Sequence, residues 1–373
     1  MSATSRPTWI VVDPAAISSN VAALCELVAP AEVCAVVKAD GYGHGGPIAA
    51  EAALAGGATR LAVAVADEAV ELRLAGIDAP IMLLAEVLIP EAAALVVRHR
   101  LEAMVYSAEG VGLLAEAAVD GGPVRVHLKV DTGMHRVGVA PEDAAALAAA
   151  IAAEPRVELI GTCTHLAVAD EPDRPETAEQ LDRFDRVLGE LEASGLDPGI
   201  RHAANSAGAI LHPAARRDMV RCGIAIFGVH PSDATEAVVD LAPALELRST
   251  VSHTMRVPAG DGVSYGLHGA AEHDRTVAVV PIGYADGVER SLGRGAGRVL
   301  VAGRLRPIVG TVTMDQLMVD CGEDPVARGD AVVLLGSDGG SSVTAADWAR
   351  WIGTIPYEVV ARLGARVPRT VRR

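Results

Sequence analysis

Aromatic side chains are scarce in this sequence, at 3% of 373 residues, although half of all residues are hydrophobic. The core must therefore be built mainly from Ala and Val, and each of the five tyrosines becomes a separate functional candidate. The length exceeds that of one compact small domain and predicts a large domain with a smaller one.

Cysteine is also rare. The sequence has five, an odd number, and none stands in a C-x-x-C pair. Disulfide frameworks and zinc sites normally need such pairs or an even set of cysteines. We therefore predict neither a disulfide framework nor a bound metal.

A basic excess and a long apolar run are both missing. The formal net charge is −16, whereas a nucleic-acid binder usually carries a basic stripe. The basic tail ending at Arg373 is interpreted as a solvated terminus. Residues 1–9 lack the apolar region of a signal peptide, and no run reaches the roughly 20 apolar residues that span a bilayer. We predict a soluble cytoplasmic protein without membrane or nucleic-acid partners.

The first 230 residues alternate between short β-rich runs and longer helical patterns. This alternation predicts a parallel sheet with crossover helices. Eight strands are the number of a closed (β/α)8 TIM-like barrel, while a doubly wound open sheet is the alternative. The absence of G-x-G-x-x-G after the first strand weakens a dinucleotide-binding fold. The predicted strands are 33–38, 61–65, 81–84, 102–105, 124–130, 159–164, 200–204 and 219–227, and the predicted helices include 15–28, 67–74, 91–98, 142–152 and 176–193.

Beyond Leu241 the pattern becomes short strands separated by Gly, Pro and Asp, which predicts a mostly β C-terminal domain. The predicted domains are therefore 1–240 and 241–373, with pairing of the first residues to the second domain kept open. Its predicted strands are 247–256, 276–280, 298–301, 305–309, 317–319 and 331–335, with short helices near 344–351 and 357–363.

Lys38 closes the first predicted strand, which would place its amine at the mouth of a barrel, where barrel active sites lie. It stands in the run AVVKADGYGHG at residues 35–45. Glycines after it permit a tight turn and a close ligand. A lone lysine at a strand end is usually an ordinary surface residue, but this run is much more specific.

The run resembles the cofactor-binding motif of the alanine racemase family, bacterial enzymes that use pyridoxal phosphate (PLP) to interconvert L- and D-alanine. The resemblance extends over nearly the whole chain and implies a barrel followed by a β domain. Its further motifs are KVDTGMHRVG at 129–138, THLA at 164–167, ANS at 204–206, RCGI at 221–224, GVSYG at 262–266, GYADG at 283–287, MDQ at 314–316 and IPYE at 355–358.

The resemblance implies that Lys38 holds PLP as a Schiff base and that hydroxyl and backbone N–H groups bind its phosphate. Arg221 is implied to face the pyridine nitrogen. Since a guanidinium only donates, that nitrogen should stay unprotonated, which weakens the electron sink and limits side reactions. Without the resemblance, a surface Arg221 paired with Asp218 is the simpler interpretation. The implied phosphate-binding residues are Tyr42, Ser206, Gly223, Ile224 and Tyr357.

Racemisation removes a proton from one face of Cα and returns one to the other. The resemblance assigns these steps to Lys38 and Tyr265, the tyrosine coming from the partner subunit of a homodimer and hydrogen-bonding to His165. A free tyrosine has a pKa near 10, so a neighbour must assist it. Arg136 and the backbone N–H of Met314, which the resemblance also assigns to the partner subunit, are implied to bind the substrate carboxylate, with Asp315 in a supporting role.

Lys129 matches a position that is often carbamylated in the family, and an unmodified lysine paired with Asp131 is equally open. Tyr284, Arg290 and Tyr357 are implied to line a narrow entry channel that favours alanine. The sequence departs from common family residues at Leu166, Cys222 and Phe227.

Alternatives within the same fold are a serine or broad-specificity racemase and, more remotely, a barrel-type PLP decarboxylase. A PLP carrier protein would resemble the barrel alone, so the second domain with Tyr265 argues against it. A role in supplying D-alanine for peptidoglycan is implied by the resemblance only.

Overall fold

The computed structural model describes residues 6–118, 122–295 and 297–372, without the side chain of Arg294. The predicted polar N-terminus lies partly outside the described residues, and Arg373 of the basic tail lies outside them. The chain divides into two compact units. The barrel unit comprises residues 15–41 and 46–242, and the β unit comprises residues 1–14, 42–45 and 243–373.

The described part of the barrel unit contains an eight-stranded parallel sheet. Backbone hydrogen bonds also join its two end strands, since Asp218 N donates to Arg201 O at 3.0 Å and Arg221 N donates to Ala204 O at 2.9 Å. The sheet thus closes, which confirms the predicted barrel over the open alternative. Neighbouring strands follow one another around the barrel in chain order: β2 (Glu32–Val36), β3 (Arg60–Val63), β4 (Ile81–Leu83), β5 (Glu102–Val105), β6 (Val124–Lys129), β7 (Val157–Cys163), β8 (Ile200–His202) and β9 (Met219–Cys222), which also pairs with β2.

The crossovers are helical. The Ala-rich segment 144–153 buries Ala144, Leu147, Ala148 and Ile151, the i, i+3, i+4, i+7 spacing of one helix face. Helices in this part of the chain are α1 (Pro14–Val28), the left-handed α2 (Lys38–Tyr42), α3 (Gly46–Ala55), α4 (Ala66–Leu74), α5 (Pro90–Arg98), α6 (Ala108–Ala117), α7 (Ala144–Ala153), α8 (Glu176–Ala193), α9 (Ser206–Leu211) and α10 (Asp233–Glu236), with 3₁₀ turns at Pro141–Asp143, Pro213–Ala215 and Ile224–Phe227.

One predicted strand, 219–227, is too long. The strand β9 ends at Cys222 because Gly223 adopts φ −107° and ψ −94°, which turns the chain out of the sheet into the 3₁₀ turn Ile224–Phe227. This turn places backbone N–H groups, rather than a continuing ladder, at the end of the last barrel strand.

The β unit contains a ten-stranded sheet in its described residues. Its strands are β1 (Thr8–Val12), β10 (Leu245–Thr250), β11 (His253–Val257), β12 (Arg275–Val280), β13 (Arg298–Val301), β14 (Arg304–Val309), β15 (Leu317–Gly322), β16 (Ala331–Asp338), β17 (Ser341–Val343) and β18 (Arg369–Val371). They pair in the order β11-β12-β15-β14-β13-β16-β10-β1-β18, with β17 paired to β16. Strand β1 (Thr8–Val12), which the sequence pattern did not reveal, pairs antiparallel with β10 and parallel with β18.

The single strand predicted at 247–256 is two strands. At Val251 and Ser252 the backbone changes partners: Val251 N donates to Asp330 O at 2.9 Å, and Ser252 N donates to Val279 O at 2.8 Å. A hydrophobic pattern carries no information about such an exchange of neighbours, so the break was not visible in the sequence. Two helices follow, α11 (Ala345–Ile352) and α12 (Pro356–Ala361), and 3₁₀ turns lie at Tyr284–Asp286 and Arg290–Arg294.

Among the described residues, no helix is both long and apolar enough to cross a membrane. The cytoplasmic location predicted from the sequence stays a prediction.

Candidate active site

Lys38 begins a left-handed turn directly after the first barrel strand. Ala39, Asp40, Gly41 and Tyr42 have φ values of 53°, 52°, 60° and 52°. Left-handed conformations cost roughly 1–2 kcal/mol per residue for side chains other than glycine. The turn therefore needs external hydrogen bonds to keep the Lys38 backbone in place.

Glu68, in the first turn of α4, supplies these bonds. Its carboxylate accepts from the backbone N–H of Ala39 at 2.6 Å and of Ala64 at 2.7 Å. A glycine is also required in the turn, because a Cβ at Gly41 would lie 2.9 Å from the Ala49 Cβ. Sequence reasoning missed Glu68; its only signal was an acidic residue near the start of a predicted helix.

The Lys38 amine lies in a field that favours its neutral form. Burial and the positive charge of Arg136 lower the pKa of Lys38, and the Glu68 carboxylate partly offsets this. An amine with a lowered pKa is neutral more often near neutral pH, and only the neutral amine is a nucleophile or a base.

Arg136 projects from a loop that follows β6. Asp131 Oδ1 shapes this loop by accepting from the backbone N–H groups of Gly133, Met134 and His135 at 3.0, 2.9 and 3.1 Å. The Arg136 side chain is exposed. Its charge lowers the pKa values of Lys38, Lys129 and His165 through space, so the loop carries a guanidinium close to all three.

Lys129 is buried at the end of β6. Burial lowers its pKa, and Arg221 and Arg136 act in the same direction. The ion pairs found among the described residues do not include one between Lys129 and Asp131; Asp131 accepts from the loop backbone through Oδ1, and its Oδ2 lies 3.8 Å from His135 Nδ1.

Arg221 is buried in β9, with five hydrogen-bond contacts in the described part of the chain. Nη1 meets His202 Nδ1 at 2.7 Å and donates to His202 O at 3.1 Å. Nη2 donates to the carbonyls of Thr164 at 2.7 Å and Ala203 at 3.1 Å, and meets His165 Nδ1 at 3.2 Å. None of the five uses Nε, which remains a donor for a ligand.

The alternative interpretation of Arg221 as a surface residue is wrong. Only 4% of Arg221 is exposed, and Asp218 pairs with Arg201 instead, at 2.8 Å.

His165 follows β7 and is neutral in this setting. Burial and the neighbouring cations, Arg221 first, place its pKa well below the ordinary value. Because Arg221 can only donate, His165 Nδ1 must accept, and the ring proton lies on Nε2. His165 thus offers an N–H on the side of its ring that faces away from Arg221.

Ser206 and the 3₁₀ turn after β9 form a group of anion donors. Asn205 is the N-cap of α9, since its side chain accepts from Gly208 N at 2.9 Å, and Ser206 is the first helical residue. Ser206 Oγ accepts from Gly223 N at 2.9 Å. Its own O–H proton can then be donated, together with the N–H of Ile224, which opens the turn.

Tyr265 lies in the β unit, at the tip of a tight loop, and 74% of it is exposed. Thr311 holds the loop: its hydroxyl donates to Tyr265 O at 2.8 Å, and its carbonyl accepts from Ser264 Oγ at 2.9 Å. These contacts fix the backbone and leave the phenol exposed within its own unit.

Of the other predicted residues of the β unit, Tyr42 is buried and Tyr357 is half-buried, whereas Met314, Asp315, Tyr284 and Arg290 are exposed. The rings of Tyr42 and Tyr357 lie 6.4 Å apart, centroid to centroid, at 53°. Met314 is 53% exposed, and Asp315 forms a 2.6 Å ion pair with Arg366. Tyr284 and Arg290 line one surface pocket together with Ala285, Gly287, Val288, Glu289 and Arg362.

The three family departures are internal. Leu166 is 1% exposed, and Cys222 and Phe227 are fully buried. They therefore act on packing within the barrel unit.

Comparison with known proteins covers the same two regions. The model of the alanine racemase N-terminal domain matches residues 12–231, and that of the alanine racemase C-terminal domain matches residues 244–371. The alanine racemase of Symbiobacterium thermophilum is 45% identical over 366 residues, covering 98% of this chain and 97% of the relative. That of Thermobifida fusca is also 45% identical, with 96% of each chain covered.

Solved structures agree. The alanine racemase from D-cycloserine-producing Streptomyces lavendulae superposes with a TM-score of 0.93 at 39% identity, covering 99% of this chain and 98% of the other. The alanine racemase from Bacillus anthracis with bound L-Ala-P gives a TM-score of 0.93 at 36% identity, covering 99% and 95%. Matches of this extent and identity show that the chain belongs to the alanine racemase family.

Proposed function

We propose that the chain interconverts L- and D-alanine with PLP as its cofactor. The observation that carries the proposal is the cluster in the barrel unit: a Lys38 amine of lowered pKa, with Arg136, His165 and Arg221 close enough to act on one another's charge. A neutral amine suits covalent attachment of an aldehyde, and a surrounding set of cations suits an anionic cofactor and a carboxylate substrate.

The residues present fit PLP. Lys38 would hold the aldehyde carbon, Arg221 Nε would donate to the ring nitrogen, and the Ser206 hydroxyl with the N–H of Ile224 would bind the phosphate. Tyr42, Gly223 and Tyr357 complete the proposed phosphate site, although the Gly223 N–H is taken by Ser206. When bound, PLP supplies the electron sink that stabilises a negative charge at Cα.

The proton transfers belong to side chains. Lys38 takes the Cα proton on one face, and Tyr265 supplies a proton on the other, so no proton is gained or lost in either direction. Arg136 and the N–H of Met314 of the partner subunit hold the substrate carboxylate, and Asp315 supports that loop. The neutral His165 offers Nε2–H to the Tyr265 oxygen, which stabilises a phenolate.

We propose that Tyr265 serves the active site of a second copy, so the functional unit is a homodimer. The exposure of Tyr265 in its own unit supports this, because a catalytic phenol needs a partner that desolvates it. Tyr284, Arg290 and Tyr357 are proposed to line the entry channel of the same site.

The decisive experiment is a chiral assay of the purified protein with L-alanine and a panel of other L-amino acids. We expect D-alanine as the main product. Faster conversion of serine or of many amino acids would support the broader racemase, release of CO₂ a decarboxylase, and no conversion a PLP carrier.

The cofactor has its own test. Borohydride reduction followed by peptide mass spectrometry should find PLP on Lys38. A colourless protein that PLP does not restore would remove the cofactor from the proposal.

Shared sites can be tested by mixing two inactive variants, Lys38→Ala and Tyr265→Phe, under conditions that exchange subunits. Random pairing puts half of the chains in mixed dimers with one intact site each, so about a quarter of wild-type activity should return. Mixing under conditions without exchange is the control. No recovery after proven exchange contradicts the shared arrangement.

Carbamylation of Lys129 is proposed as well. A carbamate forms when a neutral amine attacks CO₂ and loses a proton, and the lowered pKa of Lys129 favours that form. Arg136 and Arg221 would stabilise the resulting negative charge. Intact-mass or ¹³CO₂-labelled NMR measurement should detect the adduct, and its absence at high bicarbonate would leave Lys129 unmodified.

A further inference from the structure

Inside the barrel unit, a row of polar side chains connects Arg221 with the opposite end of the strands, and the proposed mechanism does not use it. Arg221 Nη1 meets His202 Nδ1 at 2.7 Å, His202 Nε2 meets His127 Nδ1 at 3.0 Å, and His127 Nε2 meets Glu102 Oε2 at 3.4 Å. His127 and His202 are fully buried. We call these four residues the axial chain.

Cations surround the far end of the axial chain. Arg60 Nη1 contacts Glu102 Oε1 at 2.5 Å, and Arg125 Nη1 contacts the same oxygen at 2.9 Å. Arg60 and Glu102 are the first residues of β3 and β5, whereas His202 and Arg221 stand near the ends of β8 and β9. Because all eight strands are parallel, the chain runs from the floor of the barrel towards its mouth.

The chemistry of the end groups orients every hydrogen bond. A guanidinium has no acceptor, so His202 Nδ1 must accept from Arg221 and its proton lies on Nε2. His202 Nε2–H then donates to His127 Nδ1, which places the His127 proton on Nε2 as well. That proton is donated to Glu102, which also accepts from Arg60 and forms an ion pair with Arg125.

The local charges agree with this order. Burial first, and Arg221 next, hold the pKa of His202 well below its ordinary value. Burial also lowers the pKa of His127, against the opposing effect of Glu102. Burial would raise the pKa of Glu102, but the His127 hydrogen bond and the charges of Arg60 and Arg125 lower it overall. Both histidines are thus neutral and Glu102 is ionised.

The axial chain does not carry protons. It ends at Arg221 on one side and at Arg60 and Arg125 on the other, and a guanidinium does not release its proton in a protein. It can instead fix the direction of its hydrogen bonds. Each histidine accepts at Nδ1 and donates from Nε2, and reversing one of them would set two N–H groups against each other.

We infer that Glu102 is a positioning residue for Arg221, acting through His127 and His202. The carboxylate selects the Nε2–H tautomer of both histidines, and this keeps an acceptor in front of Arg221 Nη1 and its guanidinium in one orientation. The consequence for PLP, a steady Nε donor at the ring nitrogen, rests on the proposed function; the tautomers do not.

The test is ¹⁵N NMR of the holoenzyme labelled at histidine, with signals assigned from His127→Gln and His202→Gln. In the wild type, both rings should show a protonated Nε2 and an unprotonated Nδ1 at pH 7. An imidazolium, or a proton on Nδ1 of His202, in the wild type would overturn the inference. If one assignment variant fails to fold, the other still assigns its own ring, so the inference stays testable.

Glu102→Gln is the diagnostic variant, because a glutamine amide can also donate and no longer selects a tautomer. We expect mixed tautomers at His127 and, wherever Arg221 Nη1 has turned away from His202 Nδ1, at His202 as well. We also expect a shifted absorption band of bound PLP and a several-fold rise in transamination relative to racemisation. The matched control is Glu86→Gln, another buried carboxylate, which binds Tyr106 N and Ser107 outside the axial chain. It should leave both tautomers and the absorption band unchanged.

Two negative results have different meanings. If Glu102→Gln leaves both tautomers as in the wild type, Glu102 does not position Arg221. If PLP fails to bind the wild type while the tautomers are as stated, the proposed function fails, but the inferred role of Glu102 in the axial chain is retained.

Discussion

The candidate residues of the barrel unit are held by contacts between their side chains, whereas those of the β unit are held by their backbones. Arg221, His165 and Lys129 are bonded to, or electrostatically coupled with, other side chains of the cluster. Tyr265 and Met314 are exposed, at 74% and 53%, and are placed by their backbones.

This difference separates two kinds of functional residue. A side chain in a buried network contributes to stability and chemistry together, because its loss leaves unpaired polar groups. An exposed side chain on a rigid loop can be changed without affecting its own unit, and acts only once a ligand or another chain covers it.

Tyr265→Phe should have the largest effect of these variants, and that effect is on catalysis. Loss of one acid–base group should lower kcat about 10²- to 10⁴-fold. In a subunit without its partner, the free energy of unfolding should change by no more than about 0.5 kcal/mol, because Tyr265 is exposed in its own unit. Racemase assays and denaturant titrations measure both; a large loss of stability would place Tyr265 in a network and break the contrast.

Arg221→Met should act on stability as well as on catalysis. The variant leaves the carbonyls of Thr164 and Ala203 without their donor, and each buried acceptor left unpaired costs about 1–3 kcal/mol. Arg201→Met, at the exposed pair with Asp218, is the control and should cost no more than about 1 kcal/mol. If both variants lose the same free energy of unfolding in urea, the buried contacts of Arg221 do not contribute to stability.

Glu68→Gln should have an intermediate effect. Its carboxylate binds N–H groups of the left-handed turn, and loss of charge-assisted hydrogen bonds costs about 1–3 kcal/mol. The pKa of Lys38 should also fall, since Glu68 raises it. The pH dependence of PLP attachment to PLP-free protein reports this shift, with the exposed neighbour variant Asp67→Asn as control; equal profiles would exclude Glu68 from this role.

The smallest effect near neutral pH is a pH dependence of stability, which grows only as the pH falls below about 6.5. The pKa values of His165 and His202 are lower in the folded chain than the ordinary value of about 6.5. Below about pH 6.5 the unfolded chain therefore binds more protons, so the free energy of unfolding should decrease with falling pH, by up to about 1.4 kcal/mol per pH unit for each group.

His202→Gln should make this slope shallower between about pH 6.5 and 5. His273→Gln, at an exposed position of the β unit, should leave it unchanged. Identical slopes in all three proteins would show that the barrel histidines do not titrate differently on folding.

The sequence predicted the barrel because eight buried parallel strands require eight apolar runs with helices between them, a pattern that survives in one dimension. Strand ends were less accessible. Gly223 stops β9 through its φ and ψ angles, and β10 separates from β11 by a change of sheet partner, and neither is recorded in hydrophobicity.

The sequence by itself determined the order of the barrel strands, the place of Lys38 after the first one, and the motifs that show the family. Only the tertiary structure decided which side chains meet. Glu68 reaches Ala39 across 29 residues, and Glu102 joins Arg221 through residues of β6 and β8. The physical reason is barrel closure: it brings polar groups from distant strands into one low-dielectric interior, where each must find a partner.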